Sequence, residues 1–432
     1  IRRPPRSTLD RSSAASDAYK RQIILIAAKL SGEFCERFLK IPPVLGELAA
    51  GIIIGPYALG GLSIGSLAPL FAINEGVGVN PLSNIPQEIW VIGQIAAVIL
   101  LFVAGLETDL KQFLRYIGPA SVIALGGVIL PFILGISSVV LIGEVDDWGD
   151  PKALFMGALM TATSVGITAR VLADIGKLNT PEGVTIIGSA VIDDVLGILI
   201  LSIVVGMVES GGTSGGEIAR IASIAIGFWV ALTGIILLTA TKLFRFISGF
   251  RVSGAPLVLA LALAFLGAGL AELAGLAMII GAYSVGLGLS TTPLRRLIEE
   301  PLTGLYHGLV PVFFVVMGML VDVTTMGNAL VFGIVFTILA IIGKIVGSGA
   351  PALITGFNSI GAWRIGLGMM PRGEVALIIA GIGLSRGVIG TDLFGVSILM
   401  TVITTLLAPL LLVPSFKKGG PGHHATTTIP EQ

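Results

Sequence analysis

Apolar residues run in long blocks along this chain, with polar residues confined to short gaps between them. A helix needs roughly 20 mostly apolar residues to cross a bilayer. On that measure the pattern predicts thirteen spans: 20–38, 44–59, 86–109, 113–142, 151–175, 181–209, 217–248, 253–268, 270–290, 298–322, 327–350, 361–387 and 391–414. The eighth and ninth nearly merge. The longest connection, 60–85, contains no Lys or Arg and is too small for a domain. Residues 1–19 form a polar, Ser- and Arg-rich tail with no signal-peptide pattern, and 415–432 form a second tail. The predicted class is an all-α polytopic membrane protein.

Composition excludes the main soluble alternatives. Hydrophobic residues make up 54% of the 432 and charged residues 12%, about half the usual charged share. A soluble enzyme of this size could not cover its surface with so few charges, and no enzymatic chemistry is expected. Lys plus Arg and Asp plus Glu are 26 each, so no basic excess points to nucleic acid. Cys35 alone cannot form an intrachain disulfide. Three histidines, His307, His423 and His424, argue against a His-built metal site, and no cofactor is expected.

The charges that remain are unevenly distributed. Alternate connections carry Arg37, Lys40, Lys111, Arg115, Arg170, Lys177, Lys242, Arg245, Arg251, Arg295, Arg296, Arg364, Lys417 and Lys418, whereas the opposite side carries Lys152, Arg220 and Arg386 with the acids Glu144, Asp146, Asp147 and Asp150. Lys and Arg favour cytoplasmic loops, which predicts an outside N-terminus and a cytoplasmic C-terminus. Arg2, Arg3, Arg6 and Arg11 in the N-terminal tail oppose that orientation. Trp90, Trp148 and Trp363 fall at span ends, where interfacial Trp belongs.

Two matched motifs suggest an internal repeat. Span 2 contains Gly46-Glu47-Leu48-Ala49-Ala50-Gly51 and span 9 contains Gly281-Ala282-Tyr283-Ser284-Val285-Gly286. Span 3 ends Gly105-Leu106-Glu107-Thr108-Asp109, and span 10 ends Gly318-Met319-Leu320-Val321-Asp322. An odd offset of seven spans gives the two halves opposite topology, a transporter device that places the site where corresponding helices are interrupted. Span 5 holds Thr161-Ala162-Thr163-Ser164 at mid-span, and its partner, span 12, holds Pro371-Arg372-Gly373-Glu374. Pro removes a backbone donor and Gly weakens a helix interior. Both spans are therefore expected to be broken helices that cross, with Arg372 and Glu374 compensating the freed helix ends. The alternative for span 5 is a Ser/Thr/Gly packing interface, and for span 12 a charged cap at a span end.

Span 6 carries Asp193 and Asp194 in the middle of an apolar run. Each charge at that depth costs at least about 2.5 kcal/mol, so such a pair defaults to a functional site. Adjacent residues point about 100° apart on a helix, which lets one face a cavity and the other a neighbour. Lys344, isolated in span 11, is the candidate partner. Burial disfavours the charged form of either group and pairing favours it, so the pair is poised to exchange protons. Asp194, Thr163, Ser164 and the freed carbonyls of span 5 supply oxygen ligands suited to a hard cation. Asp194 and Thr163 are the candidate cation ligands. A carboxylate that binds either a cation or a proton is sufficient for antiport.

These residues resemble the monovalent cation/proton antiporter superfamily, closest to the NapA-type bacterial and cyanobacterial Na+/H+ antiporters. The resemblance runs from about Lys20 to Pro414. It rests on Leu45 to Gly51 with Gly55-Pro56, Phe102 to Glu107, Thr161 to Arg170, Asp193-Asp194, and Arg372-Gly373-Glu374. It implies a homodimer with a scaffold (20–110 and 253–323), a linker helix (217–248) and an ion-translocating core (113–209 and 327–414) that moves as an elevator. It also implies that Asp194 binds cation or proton, and that Asp193 pairs with Lys344 in an electrogenic cycle. Na+ or Li+ and H+ are then the cargo. The Kef/KEA-type K+/H+ branch usually has Gln before the Asp and often a nucleotide-binding domain, neither of which is present. K+/H+ exchange, a gated cation channel and an ion sensor are the rival functions. A bacterial inner membrane is the expected location, with a thylakoid or plastid membrane as the alternative.

Overall fold

The computed structural model describes residues 8–63, 69–71, 85–210, 215–274, 276–322 and 330–423. The regular elements among them are helical. The order is α1 (Thr8–Phe34), running into a π-helical turn at Cys35–Leu39, α2 (Pro43–Ile54), α3 (Gln87–Glu107), α4 (Leu110–Leu141), α5 (Pro151–Thr161), α6 (Val165–Asp174), α7 (Pro181–Ser210), α8 (Gly215–Ser248), α9 (Ala255–Leu273), α10 (Met278–Leu289), α11 (Leu294–Met319), α12 (Leu330–Ile354), α13 (Ser359–Gly368), α14 (Glu374–Ser385) and α15 (Thr391–Lys417).

Ten helical segments among the described residues are long and apolar enough to cross a membrane, while α10 and Val375–Leu384 are apolar but shorter. The chain is an integral membrane protein. The first expected span is not among the ten: Lys20, Arg21, Lys29 and Glu33 interrupt the apolar run of α1. The N-terminal tail up to residue 7, most of the 60–85 connection and His424 lie outside the described residues.

Local chemistry sets several helix starts. The Asp109 carboxylate accepts from Lys111 N at 2.8 Å and Gln112 N at 3.1 Å, capping α4. Asp150 accepts from Lys152 N at 2.7 Å, with Pro151 at the first position of α5. Asn358 caps α13. Each cap satisfies donors that the first turn leaves without intrahelical partners.

Two compact units partition the chain: residues 1–96 with 307–322, and residues 97–306 with 323–432. In the first, Gly51 of α2 and Gly318 of α11 pack backbone to backbone, and a Cβ on either would meet the other's Cα at 2.9 Å. In the second, α4 packs against α5, α7 and α12. Gly126 of α4 and Gly347 of α12 face each other's carbonyls so closely that a Cβ on either would overlap the oxygen. Small residues allow such approach where lipid supplies no hydrophobic drive between helices. It also brings α12 near enough for a lysine to reach the α4 backbone.

Candidate functional site

The site lies in the second unit, where two interrupted helices meet. The chain leaves helix geometry between Thr161 and Val165, and again between Gly368 and Glu374. Ser164 N donates to Pro371 O at 2.8 Å, tying the two breaks together. The α13 end is met by hydroxyls: Thr168 Oγ1 donates to Gly368 O at 2.6 Å and Thr163 Oγ1 to Met369 O at 3.4 Å. Gly373 is needed at this crossing, because a Cβ there would lie 2.6 Å from Ser164 Oγ.

The other exposed helix end, that of α5, is met by cations. Arg372 Nη2 donates to Met160 O at 2.7 Å and Lys344 Nζ to Thr161 O at 2.9 Å. The last carbonyls of a helix lack intrahelical donors and carry the negative pole of its dipole, so two fully buried cations are well matched to this terminus. Thr405 Oγ1 donates to the Arg372 carbonyl and ties α15 to the same crossing.

Lys344 completes its shell with Asp193 Oδ1 at 2.7 Å and Gly127 O at 2.7 Å. All three ammonium donors are thereby used. Asp193 is 1% exposed and Lys344 0%. The charges of Asp194 and Arg372 also act on Lys344. Asp194, the next residue on α7, is 5% exposed. Four atoms at this crossing are buried with no hydrogen-bond partner among the described residues: Asp193 Oδ2, Ser164 Oγ, and Arg372 Nε and Nη1. Buried polar groups of this kind are ordinarily satisfied by protein, water or ions. The oxygen types present are carboxylate, hydroxyl and peptide carbonyl, which suit a hard cation.

The structure therefore gathers Asp193, Lys344, Arg372, Thr163 and Ser164 around one crossing, with Asp194 adjacent to Asp193 on α7. Glu374 opens α14, and its side chain lies outside the described residues. The carbonyls of Met160 and Thr161 are among the freed span 5 carbonyls that the broken-helix reading expects, whereas that of Gly127 escaped sequence reasoning, since a backbone acceptor in an unbroken helix leaves no residue signature. Thr405 escaped it because hydroxyls on apolar helices usually bond their own preceding turn.

A second buried ion pair also went unread. Arg364 Nη1 lies 2.7 Å from Glu182 Oε1, both being largely buried. Arg364 further donates to the carbonyls of Ser415, Gly419 and Gly420, and its guanidinium lies 4.6 Å from the Phe416 ring centroid. The segment after α15 continues along α13, with Asn358 N donating to Gly422 O at 3.0 Å.

Broken apolar helices around a buried carboxylate–ammonium pair define a secondary transporter, one whose cargo is a small cation. Comparison with known proteins agrees. The chain belongs to the sodium/hydrogen exchanger (transmembrane) family, which matches residues 23–418. It is 34% identical to the Na+/H+–K+ antiporter GerN of Bacillus cereus over 91% of this chain and 95% of that one. It is 35% identical to the high-affinity Na+/H+ antiporter NhaS3 of Synechocystis sp., covering 90% and 87%. Its fold is similar to that of the sodium proton antiporter MjNhaP1 of Methanocaldococcus jannaschii, with a TM-score of 0.68 at 19% identity over 94% of this chain and 99% of that one. The family is one of transporters that carry monovalent cations and protons.

Proposed function

We propose that this chain is an electrogenic Na+(Li+)/H+ antiporter in which cation and proton compete for Asp194. The observation that carries the proposal is the Asp193–Lys344 pair at 2.7 Å beside Asp194, placed where two broken helices cross. Ionised Asp194, with Ser164 and Thr163, offers oxygens to a cation, and protonated Asp194 does not. If reorientation requires a neutralised carboxylate, exchange is obligatory. Asp193 and Lys344 supply a second, charge-changing proton step. Arg372 and Glu374 compensate the helix ends.

Alternating access by an elevator is part of the proposal, with core 113–209 and 327–414, scaffold 20–110 and 253–323, linker helix 217–248, thirteen membrane helices and a homodimeric assembly. The inverted repeat draws support from glycine contacts. A Cβ on Gly51 would strike the carbonyl three residues before Gly318, and one on Gly318 the carbonyl three residues before Gly51. Their repeat counterparts, Gly286 and Gly105, are related in the same way through Phe102 O and Tyr283 O. Gly46 of α2 faces Ser31 O of α1, as Gly281 of α10 faces Gly267 O of α9. Two copies of one packing scheme account for all of these. A bacterial inner membrane, N-terminus outside and C-terminus cytoplasmic, is the proposed setting, with a thylakoid or plastid membrane as the alternative.

Purified protein in liposomes should dissipate an imposed pH gradient when Na+ is added, and Asp194→Asn should not. Full activity in Asp194→Asn would overturn the site assignment. K+/H+ exchange is the second reading, favoured by the Na+/H+–K+ name of the Bacillus relative. Titration with Na+, Li+ and K+ separates the two.

A further inference from the structure

We propose that Arg170 and Tyr306 form a latch that sets the position of α6, and that the transport cycle breaks and remakes it. The inference rests on the antiport mechanism above and adds two positioning residues to it.

Helix α6 is ten residues long, about 15 Å at 1.5 Å per residue. Its first turn follows Ser164, so the proposed ligands Thr163 and Ser164 move wherever this short rod moves. Besides its packing against α7 and α15, two side-chain contacts of α6 bear on its position. Thr168 Oγ1 donates to Gly368 O at 2.6 Å, joining α6 to α13. Two residues on, about 200° around the helix, the Arg170 guanidinium lies 5.1 Å from the centroid of the Tyr306 ring in α11. Asp174 orients that guanidinium, accepting from Arg170 Nε at 2.9 Å. The charges of Asp174 and of Glu107, the last residue of α3, act on Tyr306 as well. Arg170 and Tyr306 are both buried, which strengthens a cation–π contact relative to a surface one.

The two anchors differ in what they join. Thr168 and Gly368 both belong to the proposed core. Arg170 belongs to the proposed core and Tyr306 and Glu107 to the proposed scaffold, although all three fall within one compact unit, residues 97–306 with 323–432. If the core slides against the scaffold, the Thr168 anchor travels with it and the Arg170–Tyr306 contact parts. A contact present in one of two states biases the equilibrium between them. That bias sets which side of the membrane presents the high-affinity site.

The test is the apparent KM for Na+ measured separately from each side, in right-side-out and inside-out vesicles containing the full chain. Tyr306→Leu should change the ratio of the two KM values by about fivefold or more, the scale of a typical coupling. Arg170→Gln should shift it in the same direction and supplies the test if Tyr306→Leu does not fold. Tyr306→Phe keeps the ring and loses only the hydroxyl that hydrogen-bonds Arg170, so it should shift the ratio in the same direction as Tyr306→Leu but by less. An unchanged ratio in Tyr306→Leu and Arg170→Gln, with only a lower Tm, would overturn the latch and leave antiport standing. Absence of cation-driven proton movement in the wild-type vesicles would overturn antiport, and the latch with it.

Discussion

Two buried ion pairs in this protein share a separation of 2.7 Å and differ in almost everything else. At Arg364 all five N–H donors of the guanidinium are used, by Glu182, Ser415, Gly419 and Gly420. Neither Arg364 nor Glu182 contributes a buried polar atom without a partner. At the crossing, Lys344 is saturated, but Asp193 Oδ2, Ser164 Oγ and two of the three Arg372 nitrogens have no partner among the described residues. Distance therefore does not separate a fully satisfied pair from one set in an incompletely satisfied cluster. A saturated pair has nothing to offer an incoming ion, while an incompletely satisfied cluster retains lone pairs and donors for cation, proton and water. Buried polar groups left in that condition are costly, so the gathering of four such atoms at one crossing points to use.

Breaking the saturated pair should have the largest effect on stability. Arg364→Leu leaves Glu182 and three carbonyls without their donor and should cost about 3–5 kcal/mol, read by thermal unfolding of the purified protein. The double variant Glu182→Leu/Arg364→Leu should recover part of that loss. If Arg364→Leu instead abolished Na+-induced current at unchanged Tm, the contrast between the pairs would be wrong. Lys344→Gln should do the opposite, with a smaller stability loss, because the Arg372 charge also acts with Asp193, and with no Na+-induced current across liposomes. Gly126→Ala should cost about 1–3 kcal/mol, since the added methyl overlaps the Gly347 carbonyl and pushes α12 off α4. It should slow exchange by lengthening the reach of Lys344 to Gly127 O. Ser164→Ala should have the smallest stability effect, within about 0.5 kcal/mol, because the hydroxyl has no partner to lose. Its apparent Na+ KM should nevertheless rise several-fold, and an unchanged KM would remove Ser164 from the proposed ligands.

The same contrast explains what was legible in the sequence. Asp193, Asp194 and Lys344 stood out because each interrupts an apolar run, where charge has no cheap explanation. The breaks at Ala162–Ser164 and Pro371–Gly373 announced themselves through Pro, Gly and clustered hydroxyls. Arg364 and Glu182 were hidden because charges at span ends look like interfacial charges that merely orient the helix. The segment from Ser415 to His423 reads as a tail, yet its carbonyls satisfy Arg364 and His423 lies edge-on to Phe357, 5.2 Å between centroids. A backbone acceptor in an unbroken helix, such as Gly127 O, leaves no trace in residue type, so the complete shell of Lys344 was beyond reach. Helix ends were imprecise for a similar reason: α15 continues to Lys417 through Pro409 and Pro414, where hydropathy falls before helicity does.

The central claim is that one carboxylate, Asp194, serves cation and proton in turn. The most direct measurement is the apparent Na+ KM in proteoliposomes as a function of pH. A protonated carboxylate does not bind the cation, so KM should rise as pH falls, approaching tenfold per pH unit on the acid side, while the maximal rate at saturating Na+ stays nearly constant. A KM independent of pH, with the maximal rate falling instead, would mean that proton and cation bind at separate groups and would contradict the account.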